Sequence, residues 1–313
     1  MGGPHPTALK EEVLKDESNF DIVVMQEGEL TMLELTQGKL LGRIEGIIFR
    51  NNSEIIKNKL RKLNVDLDSI LEPNREILKI NHYTRKVYGG FATSVITSRG
   101  CPFNCAFCCK DTFGSHVRFH SITRVINEIK HIIEEHNIRH FLFYDDTFVF
   151  NRDRLYSICE ELSKLKIIFR CNGNARYNTY ADYKMLYKAG CREIAFGIES
   201  GSQKILSIIN KGVTVEQNRR AIIDAKKAGL LVKAYLMIGS PGESRETVEE
   251  TKRFIAEADP DQFTLFAFVP LPGCDIWKHP QKYKIRIINK DYKEYYNIAG
   301  NNEGGTVIET DNL

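Results

Sequence analysis

Cys101-Pro102-Phe103-Asn104-Cys105-Ala106-Phe107-Cys108 places three cysteines on one short stretch in a C-x3-C-x2-C spacing. Thiolates select soft metals and iron–sulfur clusters. Three thiolates on a four-iron cubane leave one iron open, and an open coordination position is how a metal site does chemistry instead of only stapling a fold. The run that delivers the first cysteine, Phe91-Ala92-Thr93-Ser94-Val95-Ile96-Thr97-Ser98-Arg99-Gly100, reads as a buried strand and its exit turn. A zinc knuckle is the competing reading, with Cys105 and Cys108 joined by His116 or His120. Zinc sites ordinarily pair a C-x2-C with a second one or with a distant histidine pair, and there is no second C-x2-C in the chain. Cys109, directly after Cys108, is expected to point away from whatever its neighbour binds.

From residue 91 onward, strand-like and helix-like segments alternate with the rhythm of parallel βα units. The predicted strands are Phe91–Thr97, Phe141–Tyr144, Ile167–Arg170, Glu193–Ile198, Leu231–Ile238 and Phe263–Val269. Between them, Ile122, Val125, Ile126, Ile129, Ile132 and Ile133 recur at helical spacing, as do Leu155, Ile158, Cys159, Leu162 and Leu165. Thr214-x-x-Gln217 reads as a capping box for a helix that stops at Ala228-Gly229, and another helix runs from near Ser244 to Asp259-Pro260. Six such units fall short of the eight of a closed barrel, so an open barrel is expected. Parallel α/β folds bind ligands at the carboxyl ends of their strands. The segments there are the cysteine loop, Asp145-Asp146-Thr147-Phe148, Asn172-Gly173-Asn174-Ala175-Arg176, Glu199-Ser200-Gly201, Gly239-Ser240-Pro241-Gly242-Glu243 and Pro270-Leu271-Pro272-Gly273. Polar and glycine-rich segments thus gather on the rim that carries the cysteines.

Length and composition set bounds. The 313 residues allow one large domain and a smaller piece, and 42% apolar with 27% charged residues describes an ordinary soluble globular protein. A net charge of +3 makes no electrostatic case for nucleic acid or an anionic membrane. No apolar run approaches the roughly 20 residues of a membrane span, and the N-terminus lacks the charged and apolar regions of a signal peptide. Eight cysteines without such a signal fit a reducing cytoplasm. Cys159, Cys171, Cys191 and Cys274 lie among apolar neighbours and read as buried small hydrophobes.

The cysteine loop, with the aromatic Phe107 before its third cysteine, resembles the cluster-binding loop of the radical S-adenosylmethionine (SAM) superfamily. The resemblance implies a [4Fe-4S] cluster on Cys101, Cys105 and Cys108 and an open (β/α)6 partial TIM barrel. It also implies that the open iron is chelated by the amino and carboxylate groups of SAM, which one electron cleaves to a 5′-deoxyadenosyl radical. Where many members carry Gly-Gly-Glu after the second strand to receive the SAM amino group, this chain has Tyr144-Asp145-Asp146-Thr147. A carboxylate of Asp145 or Asp146 can still accept from an ammonium, though Asp146 can equally cap the next helix. Glu199, at a strand end, needs a partner if buried; SAM would supply one, and so would Arg176 or Lys211. Ser200 beside it is counted with the cofactor-binding residues. Arg176 can grip the SAM carboxylate as a bidentate fork or bridge to a neighbouring acid. Gly239–Glu243 is similar to the Gly-x-Pro-Gly-Glu turn of many members, with Met237 flanking adenine and Phe107 lying against it; simple loop packing is the other reading of Phe107. No residue is assigned as catalytic.

The first eighty residues hold Gly2-Gly3-Pro4-His5-Pro6-Thr7, a strand-like Asp21–Met25, the turn Gln26-Glu27-Gly28-Glu29, a helix around Leu30–Leu35, a strand around Ile44–Phe49 and a linker with Asp66-Leu67-Asp68. This order resembles the latter half of the cobalamin-binding domain of the B12-dependent radical SAM family. The turn sits one residue off that family's Gly-Glu-Gly-Glu-like pattern. The expected organisation is a partial Rossmann-like, cobalamin-domain-like α/β segment and linker over 1–80, the partial barrel over 81–280 and a C-terminal extension over 281–313. The family's first half, with its Asp-x-His-x-x-Gly cobalt-ligating motif, is expected upstream, so the chain reads as a fragment or as a relative without cobalamin. Half of such a domain is too little to enclose a corrin, and His5 reads as a solvated loop residue.

The expected function is that of a radical SAM enzyme acting on a small molecule or peptide, fed by an electron donor such as a flavodoxin or ferredoxin, with methylation among the outcomes the resemblance implies. The alternatives are a non-catalytic cluster or zinc scaffold, and a radical SAM RNA methylthiotransferase. The latter would carry a second cysteine-rich domain and a basic RNA-binding module.

Overall fold

The structure, a computed structural model, describes residues 1–17, 19–295 and 305–310. Part of the expected extension, residues 296–304 and 311–313, lies outside the described residues.

The chain opens on a small α/β segment. Gly2 pairs in parallel with Val24 through a single bridge. Between them run α1 (Pro4–Leu9) and α2 (Glu11–Asp16), leading into β1 (Ile22–Val24). The Gly2–Thr7 stretch is therefore helical from Pro4 and not a loop. Proline favours this first helical position, where its missing N–H would be unpaired anyway. His5 sits exposed on that helix, edge-on to the Tyr292 ring at 4.7 Å. After α3 (Glu29–Thr36), β2 (Ile47–Asn51) and β3 (Glu54–Lys57) pair antiparallel in the order β1-β2-β3. Leu9, Val13, Leu14, Val23, Met25 and Ile48 make its core, against which Trp277 and Tyr292 pack.

The larger sheet follows: β4 (Lys86–Val87), β5 (Gly90–Val95), β8 (His140–Phe143), β9 (Ile168–Gly173), β10 (Cys191–Glu199), β11 (Leu231–Ile238) and β12 (Gln262–Ala267). Inserted after β5 is a ribbon of β6 (Ser98–Arg99) and β7 (Arg118–Phe119). The spatial order β12-β11-β10-β9-β8-β5-β4 follows the chain, with every pair from β5 to β12 parallel and β4 antiparallel at the edge. This is the expected open barrel of six βα units.

The connecting helices are α4 (Ile122–His136), α5 (Arg152–Ser163), α6 (Tyr180–Lys188), α7 (Gln203–Ile208), α8 (Val215–Lys227) and α9 (Arg245–Ala258), followed by α10 (Asp275–Lys278), β13 (Ile285–Ile287) and β14 (Ile308–Thr310). Ser121 and Asn151 cap α4 and α5, Thr214 and Gln217 form the capping box of α8, and Asp259 ends α9 in the left-handed conformation. The apolar stripes of α4 and α5 lock onto Val95, Phe141, Phe143, Phe169, Ile194, Phe196 and Val232 in one core. Strand alternation turns the intervening residues, among them Leu142, Arg170, Glu193, Lys233 and Tyr235, to the concave side. Cys159, Cys171, Cys191 and Cys274 are buried, as expected of small hydrophobes. Among the described residues no helix is long and apolar enough to cross a membrane.

Candidate active site

The cysteine loop is held at its base by charge. Gly100 turns the chain out of β6 with φ of 98°, and a Cβ there would lie 2.3 Å from the His116 carbonyl, so glycine is required. The β6–β7 ribbon then closes the loop. Glu27, from the turn after β1, accepts from Arg99 at 3.0 Å and from Arg118 at 2.8 Å, and Glu29 takes the second arm of Arg99 at 2.7 Å. Burial raises the Glu27 carboxyl, but the two guanidinium groups outweigh it and hold the group below the usual range. Main-chain bonds fix the rest: Cys101 N–H donates to Gly114 O at 3.3 Å, Ala106 N–H to Ile209 O at 2.8 Å and Ile276 N–H to Ala106 O at 3.1 Å.

On this scaffold Cys101 and Cys105 are half-buried and Cys108 is exposed as a residue. Desolvation first, then the thiols of Cys105 and Cys101, push the Cys108 thiol up to about 12. Desolvation also raises Cys101 and Cys105. Thiols this reluctant to ionise need a bound cation to become thiolates, and metal loading must expel their protons. Among the described residues no three His, Cys, Asp or Glu side chains close on a single-ion site. Of the histidines in the zinc reading, His116 is exposed, and His120 directs Nδ1 to Asp68 at 3.1 Å. The Cys109 sulfur lies against Gly273, where a Cβ would meet it at 2.6 Å.

The two aspartates after β8 face different ways. Asp145 is buried, and its carboxylate accepts from Thr97 N–H, Thr97 Oγ1 and Ser98 Oγ, each at 2.6 Å. It ties the end of β8 to the chain leaving β5. Asp146 is exposed, is not the cap of α5 (that is Asn151), and adds negative field to both Cys101 and Cys108. Desolvation raises its carboxyl.

At the end of β10 a register shift between Gly197 and Glu199 and a left-handed φ of 65° at Glu199 break the strand alternation. A non-glycine residue there costs about 1–3 kcal/mol. The distortion brings Glu199 Oε1 to 2.6 Å from Lys211 Nζ. Gly197 makes room, since a Cβ would lie 2.4 Å from Glu199 Oε1 and 2.8 Å from Lys211 Nζ. Lys211 also stands 5.6 Å from the centre of the Phe107 ring and lowers the Cys105 thiol against burial. Ser200 turns away, bonding Thr251 Oγ1 at 3.1 Å and accepting from Ser202 N–H at 3.1 Å.

Arg176 donates to the Gly212 carbonyl and lies over Phe103 and Tyr177, at 5.5 and 5.7 Å from the ring centres. It makes no bridge to an acid among the described ion pairs. Phe107 and Met237 pack together against Ile205, Leu206, Ile209 and Val213. In the Gly239–Glu243 turn, the buried Glu243 accepts from Gly239 N–H, while the buried Ser240 hydroxyl has no partner. The rim thus gathers Cys101, Cys105, Cys108, Asp146, Glu199, Lys211, Phe107 and Met237, with Asp145 and Ser200 directed into the scaffold. Sequence reasoning named Lys211 only as an alternative partner of Glu199, and it missed the Glu27–Arg99–Arg118 clamp. Neither has a local signature, because each depends on contacts between distant segments.

A cavity of about 1180 Å³ lies at the edge of the sheet between the linker, β5 and α4, lined among others by Tyr83, Arg85, Ser94, Ile96, Arg124 and Tyr144.

Comparison with known proteins agrees with this architecture. The chain is 34% identical over 305 residues to an uncharacterized methyltransferase of Pyrococcus horikoshii, covering 95% of this chain and 66% of the relative. It is 29% identical over 290 residues to the anaerobic magnesium-protoporphyrin IX monomethyl ester cyclase of Rubrivivax gelatinosus, covering 89% of this chain and 52% of that one. The chain therefore spans between half and two thirds of the length of these relatives. The fold is shared with the radical SAM methyltransferase TsrM of Kitasatospora setae, solved with tryptophan and a SAM analogue: TM-score 0.73, 18% identity, 93% of this chain and 60% of that one. A second structure of that protein, with cobalamin and a [4Fe-4S] cluster bound, gives 0.71 over the same coverage. Residues 95–255, from the end of β5 to α9, match the family described as the Radical SAM superfamily. With its three-cysteine loop on the rim of an open six-unit barrel, the chain belongs to the radical SAM superfamily.

Proposed function

We propose that the protein is a radical SAM enzyme in which Cys101, Cys105 and Cys108 hold a [4Fe-4S] cluster and the surrounding rim holds SAM. The observation that carries this reading is the convergence on one rim of three neighbouring thiols, a charged pair and an apolar wall. The donor set fits: three thiols leave one position of a four-iron cluster for a ligand. The unpartnered Ser240 hydroxyl on the same rim has its hydrogen-bonding capacity free. When bound, the cluster supplies the electron that cleaves SAM and yields the 5′-deoxyadenosyl radical for hydrogen abstraction.

The chain's own groups have separable tasks. Asp146 accepts from the SAM ammonium. Glu199 takes the ribose hydroxyls while Lys211 neutralises it and draws negative charge toward Cys105. Arg176, released from the Gly212 carbonyl, pairs with the SAM carboxylate as a fork. Phe107 and Met237 line the adenine. Asp145 and Ser200, assigned to SAM from sequence, serve here as supports for the rim.

The relatives' names support methyl transfer or ring closure; the resemblance to the family adds a small-molecule or peptide substrate and an external flavodoxin- or ferredoxin-like reductant, and the cysteine content fits a reducing cytoplasm. Cobalamin is bound in a solved structure of the same fold, and Gly2 and Gly3 of this chain would form only an edge of such a pocket. The first eighty residues offer a three-strand sheet and one histidine, the exposed His5, too little to enclose a corrin. The test is electron paramagnetic resonance of the anaerobically reconstituted, reduced protein. Added SAM is expected to shift the cluster signal, and a signal indifferent to SAM contradicts the proposal.

A further inference from the structure

The concave side carries a second set of groups that the rim does not use. Arg170 on β9 is only 8% exposed, yet no carboxylate lies within ion-pair distance of it among the described residues; it donates instead to the Tyr235 hydroxyl. Its guanidinium lies 5.9 Å from the ring centre of Tyr235 on β11, two strands away, and Nζ of Lys233 on that same strand lies 5.6 Å from the ring. Arg170 and Lys233 line a cavity of about 490 Å³ with Arg85, Lys86 and a single acid, Glu193. Glu193 is engaged by the Tyr88 N–H at 2.7 Å. Arg170, Lys233 and Arg85 thus face one carboxylate, while the Lys86 ammonium lies 5.1 Å from the centre of the Phe91 ring. The mutual repulsion is felt, since burial, then Arg170 and Arg85, lower the Lys233 ammonium. A buried charge without a counter-charge is costly and is retained where a partner arrives to pair it.

We propose that this floor of the half-barrel is a binding site for an anionic group of the substrate, a carboxylate or a phosphate. The inference rests on the reading that the open side admits the substrate, and it adds what that substrate looks like. Arg85 lines both this cavity and the larger one that reaches Tyr144 at the rim. Lys233 stands four residues below Met237 on β11, about 13 Å along the strand. The substrate is therefore elongated, with its negative end on Arg170 and Lys233 and its reacting carbon roughly 13 Å away at the rim. The Arg170 fork and the Tyr235 hydroxyl supply directed donors, and Lys233 supplies a point charge.

The test uses the cluster-free chain and two probes, inorganic phosphate and hexanoate, titrated by calorimetry at low ionic strength. At least one is expected to bind, with affinity falling steeply with salt. Arg170→Gln and Lys233→Gln are each expected to weaken binding about tenfold or more, while Arg286→Gln, at an exposed pair with Glu309, leaves it unchanged. Lys233 is only half-buried, so K233Q reports on the site even if R170Q does not fold. Arg170→Lys is expected to restore part of the phosphate affinity. Hexanoate binding alone assigns a carboxylate tail, and phosphate binding alone a phosphate ester. Failure of the wild type to bind either probe at millimolar concentration, or equal binding by both variants, overturns the proposal. Because neither cluster nor SAM is present, such a failure leaves the radical SAM reading standing, and a failure of SAM cleavage leaves this result untouched.

Discussion

Asp145 and Asp146 are adjacent acids with opposite surroundings. Asp145 receives three donors in the interior, so Asp145→Asn replaces an acceptor with a donor facing other donors. It is expected to cost about 2–3 kcal/mol of stability, read from the urea midpoint. Asp146→Asn is expected to change stability by no more than about 0.5 kcal/mol and to weaken SAM binding about tenfold, the loss of a charge-assisted bond. Equal destabilisation by the two would contradict the assignment. The sequence pointed to this pair but could not divide it, because which of two consecutive residues turns inward is decided by the register at the end of β8. The Glu199–Lys211 pair permits a sharper experiment. Lys211→Met strands a buried carboxylate and is expected to lower stability by about 3 kcal/mol. Adding Glu199→Gln to that variant should recover part of the loss. If the double variant is no more stable than Lys211→Met alone, the pair is not coupled.

Among the elements, the short β6–β7 ribbon and its clamp hold the cysteines in place. Glu27 belongs to the N-terminal segment, whereas Arg99 and Arg118 frame the cysteine loop, so one carboxylate joins the two parts of the molecule. Its folded-state pKa lies below the ordinary value of 4.5. Its contribution is therefore complete above pH of about 4.5 and is lost as pH falls through the depressed folded value. Thermal melting of the wild type and Glu27→Gln should accordingly differ most near neutrality, with the gap closing below pH of about 4. A gap independent of pH would show that Glu27 acts by packing alone. The six parallel strands were legible in the sequence to within a few residues at their ends, because buried strands and amphipathic helices leave strong periodicities. Helix α1 was not, since its Gly-Gly-Pro opening carries turn residues. Nor was the ribbon, whose two-residue strands are too short for any period and exist through long-range pairing.

For the whole molecule, an incomplete barrel presents a reactive rim at one end and a cationic floor at the other. The rim cysteines could be read from spacing alone. The floor could not, because Arg85, Arg170 and Lys233 are scattered over the chain and meet only when their strands align. The central claim, that the rim cleaves SAM through a cluster on Cys101, Cys105 and Cys108, has one most direct measurement. The chain is reconstituted anaerobically with iron and sulfide, reduced with dithionite and given SAM, and 5′-deoxyadenosine is quantified beside Cys105→Ala. The account predicts about four iron and four sulfide per chain, release of the nucleoside by the wild type, and loss of both cluster and release in the variant. A chain that binds one zinc and releases no nucleoside would contradict it.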